Sequence, residues 1–197
     1  IPDLEDSIKR QPIPIDIIRD IQKECIKIND PNRWLIALIS DTGMRLSEAL
    51  GLKINDLKLD KEIPYLNITP NSARRLKTKS SERQIPLVGS SLWAARQILV
   101  NVKGEFAFPH YTIKSYCYTN SASAALNKWL KTKISKNFVM HSFRHSMRDR
   151  LRSINCPTEM IDQIGGWSNT NVGSKYGKGY NLIELEKKLK LISQNFQ

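Results

Sequence analysis

The chain has no apolar run approaching the roughly 18 residues that a membrane-spanning helix needs. No cleavable leader pattern opens it, because Asp3, Glu5 and Asp6 come early. It shows no internal repeat and no low-complexity linker, which argues for one domain rather than an array. Cysteine is scarce: Cys25, Cys117 and Cys156 are scattered, odd in number and match no metal-ligand spacing. A disulfide framework and a zinc module are therefore disfavoured, and the three are expected to be reduced thiols in or near the core. Negative charge is also in short supply, with 19 acidic residues against 31 basic ones, a net charge of +12. Such an excess predicts attraction to a polyanion, nucleic acid first. Hydrophobic residues make up 40% of the 197, enough for a core and too many for wholesale disorder. The first residue is Ile1 rather than Met, so a piece of a longer protein is expected.

The apolar pattern is mostly helical. Ile15, Ile18, Ile21, Cys25 and Ile28 recur at helical spacing over residues 14–29, with Pro14 at the start and Asp30-Pro31 breaking the pattern. A second apolar helix over 32–41 is expected to stop at Gly43, where glycine tolerates a positive φ. A short helix from Leu46 to Leu52 follows, which puts Arg45 at a helix start that favours an anion. Further helices are predicted at about 90–102, 120–132, 141–153, 158–164 and 182–193. Two short β-prone segments, 65–69 and 84–88, flank the basic run from Arg74 to Arg83, which reads as a hairpin.

The residues able to do chemistry fall in a telling order. Arg45 lies in Thr42-Gly43-Met44-Arg45-Leu46-Ser47-Glu48, Lys77 in the basic run, and His141 and Arg144 in His141-Ser142-Phe143-Arg144-His145; Trp167 follows Gly165-Gly166, and Tyr176 comes nine residues later. Two arginines, a lysine and a histidine can surround one phosphate, and planar guanidinium forks suit its non-bridging oxygens. A tyrosine can attack it. Each residue alone has a plainer explanation. Arg45 could be a surface arginine, His141 a satisfied histidine at a helix start, Trp167 a core tryptophan and Tyr176 a half-buried tyrosine. The arginine three positions after His141, and the basic helix carrying Arg144, Arg148, Arg150 and Arg152, favour the phosphate reading.

Taken in this order, the sequence from about Ile13 to Tyr180 resembles the catalytic domain of the tyrosine recombinases, in the manner of a phage or mobile-element integrase. The resemblance implies a mainly helical fold with a small three-stranded antiparallel sheet, with residues 1–12 a tail or linker end, 13–180 the catalytic domain and 181–197 a C-terminal helix. The apolar stripe of that helix (Leu182, Leu185, Leu189, Ile192) belongs either to its own core or, as the family implies, to a neighbouring subunit.

The resemblance also assigns roles. Arg45 and Arg144 would clamp the phosphate, with Glu48 in support. His141 would donate a hydrogen bond and accept the nucleophile's proton, with His145 a competitor. Trp167 stands where many members carry a second histidine; its indole can only donate. Tyr176 would be the nucleophile, with Tyr180 the rival. Lys77 would protonate the leaving oxygen, with Lys79, two residues on, an open alternative. Arg74, Arg75, Lys79, Arg83, Arg148 and Lys175 are candidate DNA contacts.

The implied reaction is site-specific DNA recombination through a 3′-phosphotyrosyl intermediate and a free 5′-hydroxyl, with no metal and no cofactor. The implied partners are a double-stranded attachment site and, in the full-length protein, three further copies in a tetramer on DNA, the chain alone being monomeric. The implied location is the bacterial cytoplasm, on the nucleoid. Type IB topoisomerase-like relaxation and a silent DNA-binding module are the alternatives.

Overall fold

The computed structural model describes residues 11–134, 137–168 and 179–196. The helices are α1 (Ile15–Ile28), α2 (Pro31–Thr42), α3 (Leu46–Leu50), α4 (Gly89–Asn101), α5 (Thr119–Leu130), α6 (Ser142–Ser153), α7 (Thr158–Gly165) and α8 (Leu182–Ile192). Strands β1 (Leu57–Lys58), β2 (Tyr65–Ile68) and β3 (Arg83–Pro86) form an antiparallel sheet in that order, and β4 (Thr112–Ile113) pairs with β5 (Tyr116–Cys117). Among the described residues no helix is long and apolar enough to cross a membrane.

The molecule is organised around α2. Every residue from Trp34 to Thr42 is buried, so this helix has no solvent face and is packed by α1, α4 and α6. Its start is fixed locally. Asp30 accepts a hydrogen bond from the Arg33 N–H at 2.9 Å, and Pro31 occupies the first turn, where the missing N–H costs nothing. Its end is Gly43, whose φ of 66° turns the chain towards Arg45.

The mainly helical reading holds, and the helix boundaries fall close to the predicted ones. Two features escaped the sequence. β1 and the β4–β5 hairpin have two residues per strand, too short for an alternation to register. The basic run is also not a regular hairpin. β2 and β3 pair through Ile68↔Arg83, and the residues between them form a loop with a 3₁₀ turn at Lys79–Ser81. Strand alternation therefore says nothing about Lys77 and Lys79. Both are exposed, the first in the loop and the second opening the turn.

The stripe on α8 folds onto its own chain. Leu185 and Leu189 are sealed in the core, Ile192 nearly so, and the Ile192 carbonyl accepts from Arg150 on α6 at 2.7 Å. The large apolar residues that α8 leaves exposed are Ile183 and Leu191.

Candidate active site

Two stretches of chain meet behind the site, and a buried carboxylate holds them. Glu48, on the first turn of α3, is 3% exposed. Its Oε2 accepts the Arg45 backbone N–H at 2.8 Å, and its Oε1 accepts from Arg45 Nη1 at 3.0 Å. From the other side Arg83, on β3, donates to both oxygens, Nη1 to Oε1 at 3.1 Å and Nη2 to Oε2 at 3.0 Å. Burial alone would push the Glu48 carboxyl up. The hydrogen bonds and charge of Arg83, and those of Arg45, outweigh it and hold the group below its ordinary value. Arg45 thus lies over a fixed anion with its side chain 25% exposed, and its Nη1 lies 3.5 Å from Ser81 Oγ. The five-residue α3 contributes little dipole, and the Arg45 backbone N–H is already occupied. The guanidinium is what this segment presents, a correction to the helix-start argument.

Arg144, on α6, is the second cation, and its surroundings differ. It is 3% exposed and donates Nη1 to the Gly43 carbonyl at 2.9 Å. Its guanidinium carbon lies 4.3 Å from the Trp167 ring centroid. Among the described residues no carboxylate lies within ion-pair distance of it, and Nη2 is buried without a hydrogen-bond partner. Burial, followed by the charges of Arg45 and Arg83, pushes its pKa down to about 9, with Glu48 opposing and Arg148 adding least. At neutral pH the group is still a cation. A buried cation short of an anion is a costly arrangement, and a bound phosphate oxygen would relieve it.

Trp167 reaches Arg144 because two glycines precede it. The indole lies against Gly165, where an added Cβ would come within 1.8 Å of the ring. Gly166 takes φ 64° and leaves room for the Arg83 guanidinium, which a Cβ there would approach to 2.6 Å. Arg148, one turn beyond Arg144, lies 4.2 Å from the same ring centroid and pairs with Asp162 at 3.5 Å. His141 is exposed at the residue before α6, and its ring meets His145 edge to face at 5.2 Å. A cleft of about 310 Å³ has Arg45 and His141 on its wall, with Thr119, Asn120 and Ser123 of α5 opposite. Ser80, in the turn after Lys77, reaches Ser168, beside Trp167, at 3.3 Å.

Arg45, Glu48, Arg144 and Trp167 are therefore brought together, with His141 on the same cleft and the Lys77 loop against the Trp167 turn. Tyr176 and Lys175 lie outside the described residues. Tyr180 has its backbone pinned to α7, with its N–H donating to the Gln163 side chain and its carbonyl accepting from it, both at 2.8 Å. Arg75, Lys79 and Arg148 keep some or all of their surface.

Two of the residues proposed as DNA contacts are corrected. Arg74 is 2% exposed and spends its donors on the carbonyls of Thr69 and Glu48 and on Asp56. Arg83 is just as fully committed inside. Neither is the solvated cation that its basic run suggested, and each braces Glu48, one by the main chain and one by the carboxylate. Arg83 carried a signal: it shares a strand face with buried Ile85, two residues on.

Comparison with known proteins places the fold and the family. The transposase from transposon Tn916 of Enterococcus faecalis is 27% identical over 169 residues, 72% of this chain and 40% of that protein. A probable integrase of prophage ps2 from Lactococcus lactis subsp. lactis is 27% identical over 161 residues, 68% of this chain and 42% of that one. The chain thus spans about two fifths of the length of these relatives. Among solved structures, the Tn1549 transposon integrase in complex with transposon right end DNA superposes with a TM-score of 0.58 at 17% identity, covering 90% of this chain and 64% of that one. The XerH site-specific recombinase bound to palindromic difH substrate superposes with a TM-score of 0.59 at 21% identity, covering 85% and 49%. These likenesses show the fold. The model of the phage integrase family matches residues 15–180, which hold all six residues of the Arg–Lys–His–Arg–Trp–Tyr series, and the chain belongs to that family.

Proposed function

We propose that the chain is the catalytic domain of a tyrosine recombinase that cuts and rejoins duplex DNA at a specific site. The observation that carries this reading is Arg144: a buried guanidinium with an unpartnered Nη2, no carboxylate beside it among the described residues, and Arg45 close enough to add its charge. A guanidinium left in that state suits an anion with several acceptor oxygens, and a DNA phosphodiester is such a group.

In the proposed reaction the Tyr176 phenolic oxygen attacks the phosphorus. The new O–P bond forms as the bond to the 5′ oxygen breaks, leaving a 3′-phosphotyrosyl ester. Arg45 and Arg144 hold the two non-bridging oxygens as charge builds on them. His141 hydrogen-bonds the same group and accepts the phenol proton. Trp167 keeps Arg144 in place by stacking and offers its indole N–H. Lys77 protonates the leaving 5′ oxygen. A 5′-hydroxyl from a partner strand then reverses the step, the bond energy having been kept in the ester. Arg75, Lys79, Arg148 and Lys175 are assigned to neighbouring phosphates. The whole protein is proposed to work in the bacterial cytoplasm as a tetramer on its DNA. This chain alone is expected to bind weakly and to lose affinity steeply as salt rises.

Covalent trapping tests the reading. The protein is mixed with a nicked duplex from the ends of its own element, so that the cleaved strand diffuses away. A protein–DNA adduct that disappears in Tyr176→Phe and persists in Tyr180→Phe is the expected result. Binding without an adduct on that substrate would sink the proposal in favour of a silent module. Relaxation of supercoiled plasmid without exchange between two sites would favour a topoisomerase.

A further inference from the structure

We infer that Arg83 is a positioning residue that registers the three phosphate-facing segments against one another, an inference that rests on the reading just proposed. Arg83 sits on β3, at the foot of the basic loop, and has no surface of its own to offer DNA: its side chain is 2% exposed. Its donors go to three places. Nη1 and Nη2 grip the Glu48 carboxylate, which in turn holds Arg45 by backbone and side chain. Nη1 also donates to the Ser81 carbonyl at 2.6 Å, at the end of the turn that follows Lys77. Nε donates to the Ile164 carbonyl at 2.8 Å, three residues before Trp167. One planar group therefore fixes the distances between the Arg45 segment, the lysine loop and the tryptophan turn.

The geometry explains why the group is arginine. A lysine supplies a point charge on a flexible stem and could satisfy Glu48, but it lacks the fork that reaches a carboxylate and two carbonyls at once. The neighbouring glycine fits the same account, because any Cβ at Gly166 would push against this guanidinium. Reacting groups need near-ångström placement, and a misplacement of about 1 Å can slow a reaction about 100-fold. Loosening Arg83 is thus expected to act on the chemical step and to spare DNA affinity, since no DNA contact is removed.

The test compares wild type with Arg83→Lys and with the double variant Arg83→Met/Glu48→Gln, which removes the buried pair together and avoids stranding a carboxylate. Three quantities are read: the Kd for nicked duplex, the rate of adduct formation per folded molecule on saturating duplex, and the rise in Tm caused by inorganic phosphate. Both variants are expected to bind DNA with Kd within about twofold of wild type, to form adduct about 10- to 100-fold more slowly, and to lose most of the phosphate response. Adduct rates and phosphate responses equal to wild type in both variants would overturn the inference, because a purely structural brace changes the folded fraction and leaves the rate per folded molecule alone. If wild type forms no adduct yet responds to phosphate, and Arg83→Lys does not respond, the positioning role stands and the recombinase reading falls. Wild-type protein with neither adduct nor phosphate response overturns both.

Discussion

Arg144 and Arg150 lie six residues apart on one helix, both are buried, and both hydrogen-bond a carbonyl at the end of α2. In the proposed function they do opposite work. Arg150 is 2.7 Å from Asp41, and the same carboxylate is held by the backbone N–H and hydroxyl of Ser90. A further bond from Arg150 to the Ile192 carbonyl ties α2, α6 and α8 into one block. Arg144 has the same burial without the carboxylate, and three other arginines crowd it. The difference teaches how to tell a brace from a binding group when both are buried arginines. The brace brings its anion from elsewhere in the chain. The binding group is left short of one.

That contrast is open to direct attack. The largest effect on stability is expected at Arg150. Arg150→Met strands the buried Asp41 carboxylate and should cost about 3–5 kcal/mol in chemical denaturation, with activity per folded molecule little changed. The largest effect on chemistry is expected at Arg144. Arg144→Met should slow adduct formation about 10²–10³-fold, the scale of losing one donor to a developing oxyanion. Its Tm should hold or rise, since an unpaired buried charge has been replaced by an apolar chain of similar reach. A large drop in Tm for Arg144→Met would erase the distinction between the two residues.

Inorganic phosphate gives a smaller and cleaner discrimination. At about tenfold over its Kd it should stabilise wild type and Arg150→Met by roughly 1.4 kcal/mol, read as a Tm rise of a few degrees, and leave Arg144→Met unmoved. The smallest effect is acid sensitivity at Glu48. Its carboxyl sits below the ordinary value of 4.5, so its contribution is complete above that pH and is lost as pH falls through the folded value. The stability difference between wild type and Glu48→Gln, measured by denaturant titration at several pH values, should therefore be constant near neutrality and shrink below about pH 4.5. A difference that grows on acidification would show that the carboxylate is not held by Arg83 and Arg45.

The longer helices were legible because their apolar residues recur at the helical period over about three turns or more, and the two short ones, α3 and α7, because glycine or proline marks their ends. The two-residue strands were not, because no period fits in two residues. Arg150 was available to a closer reading, since seven positions bring it almost directly over Phe143, on the face that buries Met147 and Leu151. An arginine on a helix's apolar face announces a buried partner, though not which one.

What the sequence determined by itself is the order of the chemistry-bearing residues, Arg45, Lys77, His141, Arg144, Trp167 and Tyr176, and the helical scaffold around them. The order is read directly along the chain, and the helices are local, fixed by spacing within a few turns. Only the tertiary structure decided which buried arginines are paired with a carboxylate and which is left without one. Arg83 finds Glu48 across 35 positions and Arg150 finds Asp41 across 109. Whether a guanidinium is a brace or an anion site depends on whether packing brings it a carboxylate, and pairing at that range is set by how the whole chain folds.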